Sequence, residues 1–292
     1  MRIALGLEYD GAGFCGWQAQ PCGCSVQDAL EAALAKVADA PIRVICAGRT
    51  DAGVHATAQV VHFDTDVERP ANAWVRGTNA HLPATIAVRW AQPMPPDFHA
   101  RFSAQGRRYR YVLLNRAERP GLMAHRVGWF HLPLDVAAMQ KAARYLLGTH
   151  DFSAFRSNQC QAKSPVKNLR QLDMAVQGDQ LIFDFAADGF LHHMVRNIMG
   201  MLIYVGKGAH PPEWVGEVMT TKNRALAAPT FSPDGLYFVG VDYDPAWQLK
   251  VMSAQKVGVG ETASLLLSES LNTATVRPSQ LTPMALVSRL ES

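Results

Sequence analysis

The chain has 292 residues, of which 48% are hydrophobic, and a formal net charge of +3. That length suggests about two domains with substantial cores, and no apolar run reaches the roughly 18 residues of a membrane span. The opening MRIALGLEYD is too short and too soon acidic for a secretory leader, and five cysteines, an odd number, argue against a disulfide framework. Cys22-Gly-Cys24 is too closely spaced for the usual zinc pair and no second pair follows, so no metal site is expected. A soluble cytoplasmic protein that does not engage a membrane is the plain expectation.

Charge is unevenly spread. Residues 101–170 hold 13 Lys or Arg against three acids, a net of +10, and the other 222 residues carry 15 basic and 22 acidic side chains, a net of −7. Clustered cations of this kind suit a polyanion, because phosphates give up their counterions to them. A solvated basic face without a partner is the plainer alternative.

In chain order, Arg2 to Asp10 alternates apolar and polar residues as a half-buried strand does. Gly11 to Gly23 is a glycine-rich loop containing Phe14, Cys15 and Trp17, and Trp17 suits core packing or an RNA contact equally well. Ser25 with Asp28 three residues on predicts a capped helix whose stripe is Val26, Leu30, Ala33, Leu34 and Val37. Strands are then expected at Ile42–Cys46 and Gln59–Phe63, and between them lies GRTDAGVHA. Gly48 and Gly53 bracket a cation, a hydroxyl, a carboxylate and an imidazole: Arg49, Thr50, Asp51 and His55. A plain connection does not need four reactive groups, although a loop Asp often only caps its own backbone.

A helix is predicted over Trp74–Leu82, then a strand at Ile86–Trp90 within a Pro-rich passage that closes a first domain. Arg107–Leu114 reads as a strand with Tyr109, Tyr111 and Leu113 on one face and Arg108, Arg110 and Val112 on the other. Aromatic rings can stack on bases while guanidinium groups meet phosphates; an ordinary strand with solvated arginines is the alternative. Val136–Leu147 has helical spacing and stops at Gly148, and His150–Asn168 is a basic loop able to grip a backbone through Arg156, Lys163 and Lys167. Gln180–Asp188 is a strand, and Phe190–Val205 is a helix apolar nearly all round that nevertheless carries Arg196. A buried guanidinium is costly without an acceptor, and either Asp184 or Asp51 can supply one. Tyr237–Tyr243 is a last strand, and residues 246–292 form a tail of shifted composition, expected to be mobile, with Thr282-Pro283 able to cap a short helix. The order of elements is α+β rather than a repeated βαβ winding.

The motif AGRTDAGVHA resembles the signature of tRNA pseudouridine synthases of the TruA type. RIALGLEYDGAGFCGWQAQ, DFHARFSAQGRRYRY, GTHDFSAF, GFLHHMVRNIMG and APTFSPDGL resemble further blocks of that family in the same order, over roughly residues 1–245. The resemblance implies two similar RRM-like or ferredoxin-like subdomains, 1–104 and 105–245, sharing a mixed, largely antiparallel sheet flanked by helices, with a basic cleft. It implies a homodimer that isomerises uridine to pseudouridine at positions 38, 39 and 40 of the tRNA anticodon stem-loop, without a cofactor.

Residue by residue, the resemblance makes Asp51 the nucleophile and Arg196 its ion-pair partner. Tyr109 would stack on the target base, Arg49 would fill the space left by the extruded nucleotide, and Leu191 and Val54 would wall the pocket. Whether Asp51 attacks ribose or base, or abstracts a ribose proton, stays open. Two rivals remain: an RNA-binding module without catalysis, and a metal-dependent hydrolase built on Asp51, His55, His62, Asp64 and Asp66. His55 and His62 stand seven apart in or beside strands, a poor ligand spacing, and His192 and His193 read as hydrogen-bonded core histidines.

Overall fold

The computed structural model describes residues 1–250. Alternation of apolar residues produces strands β1 (Arg2–Tyr9), β3 (His55–Asp64) and β4 (Ile86–Met94), which pair antiparallel in the order β4-β1-β3, with short β2 (Ile45–Cys46) beside β3. Helices α1 (Val26–Ala38) and α2 (Ala71–Asn79) pack together and cover this half. α1 starts as the sequence dictates: the Ser25 side chain accepts from the Asp28 backbone N–H while the Asp28 carboxylate accepts from Ser25, a reciprocal cap. Trp74 of α2 is wholly buried edge-on against Phe63 of β3, ring centres 5.2 Å apart. Burying one such side chain contributes about 2–3 kcal/mol.

The second half orders β10 (Leu236–Tyr243), β5 (Ala104–Asn115), β9 (Gln180–Ala187), β8 (Val166–Gln177) and β7 (Gly148–Asp151), all antiparallel, and β6 (Gly128–Phe130) lies parallel to β5. Helices α3 (Val136–Ala143), α4 (Met194–Gly206) and α5 (Trp214–Thr221) belong to this half. The halves meet where β10 runs parallel to β3, Tyr237 opposite His55 and Phe238 opposite Ala56. The result, among the described residues, is one ten-stranded mixed sheet, mostly antiparallel and flanked by helices.

Several elements differ from the sequence expectation, each for a physical reason. β3 begins at His55 rather than Gln59, because the imidazole is buried in the inter-half junction. Only Ile45 and Cys46 of the run from Ile42 join the ladder. β4 runs through Pro93, which an edge strand tolerates. The helix expected to end at Leu82 spans Ala71–Asn79, and the α-helical part of Val136–Leu147 ends at Ala143, followed by a 3-10 turn to Leu146. Both β8 and α5 escape the sequence reading. β8 has one mostly solvated face and a register shift between Leu169 and Gln171, which breaks its alternation. Trp17 is core: it is 1% exposed and its ring sits 5.9 Å from that of Tyr9. The tail's expected mobility and its Thr282 cap lie outside the described residues.

Candidate active site

The loop that carries Asp51 leads into β3 at the junction of the two half-sheets and is held from several sides. Gln59 donates to the Gly48 carbonyl at 2.7 Å, and Thr50 Oγ1 meets the buried Tyr9 hydroxyl at 2.8 Å. The Thr50 carbonyl accepts from the Trp17 backbone N–H at 3.0 Å. That approach needs Gly16, because a Cβ there would lie 2.9 Å from the Thr50 oxygen. After Asp51 the chain turns through Gly53 at φ +77°, and Val54 N–H closes the turn on the Asp51 carbonyl at 3.1 Å. His55 then ties the loop to the other half: its Nε2 lies 2.9 Å from the His125 carbonyl and 3.1 Å from that of Asp234, while Nδ1 accepts from Gly11 N–H at 3.1 Å. His55 thus fastens the architecture around Asp51.

Three side chains from the start of α4 close on the Asp51 carboxylate. Arg196 Nη1 donates to Oδ2 at 3.1 Å, His193 Nε2 stands 3.5 Å from Oδ2, and His192 Nε2 stands 3.3 Å from Oδ1. Asp184, the other acceptor considered for Arg196, pairs with Arg110 at 2.8 Å. Arg196 is itself aimed by a 2.9 Å bond from Nε to the Phe231 carbonyl. Buried Asn197 anchors α4 by donating to the Phe155 carbonyl and accepting from Thr230 and Arg224. This is what the GTHDFSAF and APTFSPDGL stretches do for the site.

Burial pushes the Asp51 carboxyl up, but the His192 hydrogen bond and the charges of His193 and Arg196 outweigh it, so its pKa falls below the usual carboxylate value. Burial lowers the His193 pKa, against the pull of Asp51. Among the described residues, the guanidinium of Arg196 makes the one side-chain hydrogen bond to Oδ2. His193 also takes a left-handed backbone conformation at φ +65°, a strained state for a residue with a Cβ.

Below the carboxylate, Tyr109 is 9% exposed, with its ring edge-on to Phe190 and Phe238 at 5.0 and 5.1 Å and its hydroxyl 3.5 Å from the Arg49 carbonyl. Arg49 is exposed and reaches Gln161 at 3.2 Å. Leu191 and Val54 are buried. Asp51, His192, His193 and Arg196 are thus in direct contact, with Tyr109 and Arg49 linked beside them. Arg108 and Arg110 differ from expectation: they form ion pairs with Asp242 and Asp184, so their charge is met within the sheet. Arg156 likewise donates into its own loop, to the Cys160 and Ala162 carbonyls.

Sequence reasoning set His192 and His193 aside as core histidines, yet both face Asp51. The available signal was spacing, since His192 and His193 precede Arg196 by four and three residues, although both lie in the turn before α4 and not on the helix itself. The ligand set of the hydrolase alternative does not assemble. His55 serves the junction, His62 accepts from Ala100 N–H at 3.1 Å on the body of β3, and Asp64 pairs with Arg2 at 2.8 Å. Asp51, His192 and His193 have ligand atoms within 4.8 Å of one another, but a cation there would confront the Arg196 guanidinium on the same carboxylate.

A family model described as tRNA pseudouridine synthase matches residues 7–103 and 142–244. The chain belongs to the tRNA pseudouridine synthase family. It is 64% identical over 249 residues to the tRNA pseudouridine synthase A of Dechloromonas aromatica, covering 85% of this chain and 95% of that one. It is 56% identical over 249 residues to the protein of the same name from Methylobacillus flagellatus, with the same two coverages. With the one from Paraburkholderia xenovorans it shares 59% over 242 residues, 83% of this chain and 90% of the relative. The enzyme is an isomerase that converts uridine to pseudouridine in tRNA. Among the described residues no helix is long and apolar enough to cross a membrane.

Proposed function

We propose that Asp51 is the nucleophile of this isomerisation and that the uridines taken are those at positions 38, 39 and 40 of the tRNA anticodon stem-loop. The observation that carries this reading is the Asp51 carboxylate gripped by Arg196 and flanked by His192 and His193 at the junction of the half-sheets, contacts that lower its pKa. In the reaction the N1–C1′ bond of the nucleoside breaks and a C5–C1′ bond forms. The C5 proton leaves to solvent and N1 takes up a proton. Redox balance is unchanged, so the chemistry needs no electron carrier.

Arg196 holds Asp51 charged and oriented in a half-buried site, where a charge acts more strongly than in water. Tyr109 is the platform for the uracil, Arg49 occupies the stack vacated by the flipped nucleotide, and Leu191 and Val54 keep the pocket dry. Acceptance of several adjacent positions fits recognition of RNA shape and backbone rather than of base edges. The same reading includes a cytoplasmic homodimer, two α+β domains at 1–104 and 105–245, and a basic cleft between them for the RNA.

Release of tritium from carbon-5-labelled uridine in unmodified tRNA tests the assignment. Wild type should release label with chelator present, and Asp51→Asn should lose more than about 10⁴ in rate while binding tRNA within a few-fold of wild type. Release confined to sites outside positions 38–40 would reject the substrate assignment, and residual fast release by Asp51→Asn would reject the nucleophile.

A further inference from the structure

The loop between β1 and α1 gathers three cysteines that the isomerisation does not use. The sulfur atoms of Cys15, Cys22 and Cys24 all lie within 4.8 Å of one another. The backbone builds this convergence. Cys15 N–H donates to the Cys24 carbonyl at 3.0 Å, and Gly23 N–H donates to Gln20 at 2.9 Å. The Gln20 side chain holds the Cys15 carbonyl at 2.9 Å. Gly23 turns at φ +66°, which folds Cys22 and Cys24 toward the same point, their Cα atoms 5.4 Å apart. The Cys24 sulfur touches both Cys15 and Cys22. One sulfur makes one disulfide, so any single bridge leaves a third thiol at the same place.

We propose that Cys15, Cys22 and Cys24 form a three-thiolate site for zinc, its fourth coordination position open to solvent. Thiolates select soft or borderline cations, and three protein ligands with an open fourth position is an established tetrahedral zinc arrangement. The i, i+2 spacing of Cys22 and Cys24 is too tight for the usual pair, and the fold supplies what the sequence lacks by returning Cys15 to them. Cys15 and Cys22 are exposed and Cys24 is half-buried, so an ion has a path from solvent. Binding displaces a proton from each thiol, so affinity falls as pH drops.

Occupancy also bears on the catalytic loop. Gly16 and Trp17 directly follow Cys15 and lie against Thr50, next to Asp51.

The test is cobalt titration of the full-length, fully reduced protein, with the free thiols counted beforehand. The expected result is a sulfur-to-cobalt charge-transfer band that saturates at one equivalent per chain and is displaced by zinc. Cys15→Ser, Cys22→Ser and Cys24→Ser should each weaken binding by more than about tenfold, whereas Cys160→Ser should leave it intact. Absence of the band with all thiols free would overturn the proposal, as would a band that survives Cys22→Ser. So would a disulfide among the three that persists in excess reductant.

Discussion

The two halves of the sheet contribute unlike things to the same few ångströms. The half formed by β4, β1 and β3 supplies a carboxylate on a loop braced by Gln59, Tyr9 and Trp17. The other half supplies the groups that hold this carboxylate, all from the start of α4, on backbone that is strained at His193. The carboxylate therefore rests on a well-satisfied scaffold while the strain sits on its partners. Neither half by itself brings these groups together. The Asp51–Arg196 ion pair is also a tie between the halves.

Replacing Arg196 breaks that division most severely. Arg196→Ala leaves a half-buried carboxylate without its permanent counter-charge, a change that costs about 3–5 kcal/mol for a buried pair, and activity should fall at least a hundredfold. Arg196→Lys keeps the charge but loses the bond to Phe231 that aims it. Thermal melts and single-turnover label release should rank the variants wild type, Lys, Ala in both measures; a wild-type rate for Arg196→Lys would show that charge alone suffices.

Acid probes the scaffold half next. Burial, together with the charges of His99 and Arg2, pushes His62 down to about 4 from 6.5. Between those values the unfolded chain binds the proton and the folded chain does not, so stability is lost as pH falls from 6.5 toward 4, on the order of 3 kcal/mol at the lower end. Denaturant midpoints measured across that range should slope downward toward acid, and His62→Gln should flatten the slope. The Asp51 pKa is shifted in the same direction, but for a carboxyl this favours the charged form in the fold; its contribution is present above the unfolded carboxylate pKa and is lost only at still lower pH.

His193→Gly separates strain from function. Glycine accepts φ +65° freely, so the variant should melt no lower than wild type, by a margin of at most about 1 kcal/mol, while turnover drops. A lower melting temperature would mean that the His193 contact, not its backbone, governs stability there. The smallest effect is expected for Tyr109→Phe. The ring stays between Phe190 and Phe238, and only a long 3.5 Å contact to the Arg49 carbonyl is lost. Binding and melting should stay near wild type; unfolding would make Tyr109 purely a core residue.

Much of this was legible in the sequence, because local chemistry decided it. Ser25 and Asp28 cap a helix wherever they occur so spaced, and Asp51 stood out as a carboxylate between turn glycines. An arginine on an apolar helix demanded a buried acceptor, and Asp51 was one of the two candidates. What escaped depended on tertiary context. β8 hides its pattern behind a register shift and a solvated face. His192 and His193 sit on apolar-looking sequence, and only the approach of another loop turns them toward a carboxylate. The arginines of β5 looked free for phosphate because their acidic partners, Asp184 and Asp242, lie 74 and 134 residues away in the chain.

The parallel pairing of β3 with β10 has a consequence for synthesis. β10 is the last strand among the described residues, and it joins Tyr237 and Phe238 to His55 and Ala56, the positions next to the Asp51 loop. On the ribosome the carboxylate emerges nearly 200 residues before the strand that closes the sheet over it. A nascent or prematurely terminated chain thus carries the Asp51 loop with the junction beside it unmade. Only translation through Tyr243 supplies the strand that joins the two half-sheets.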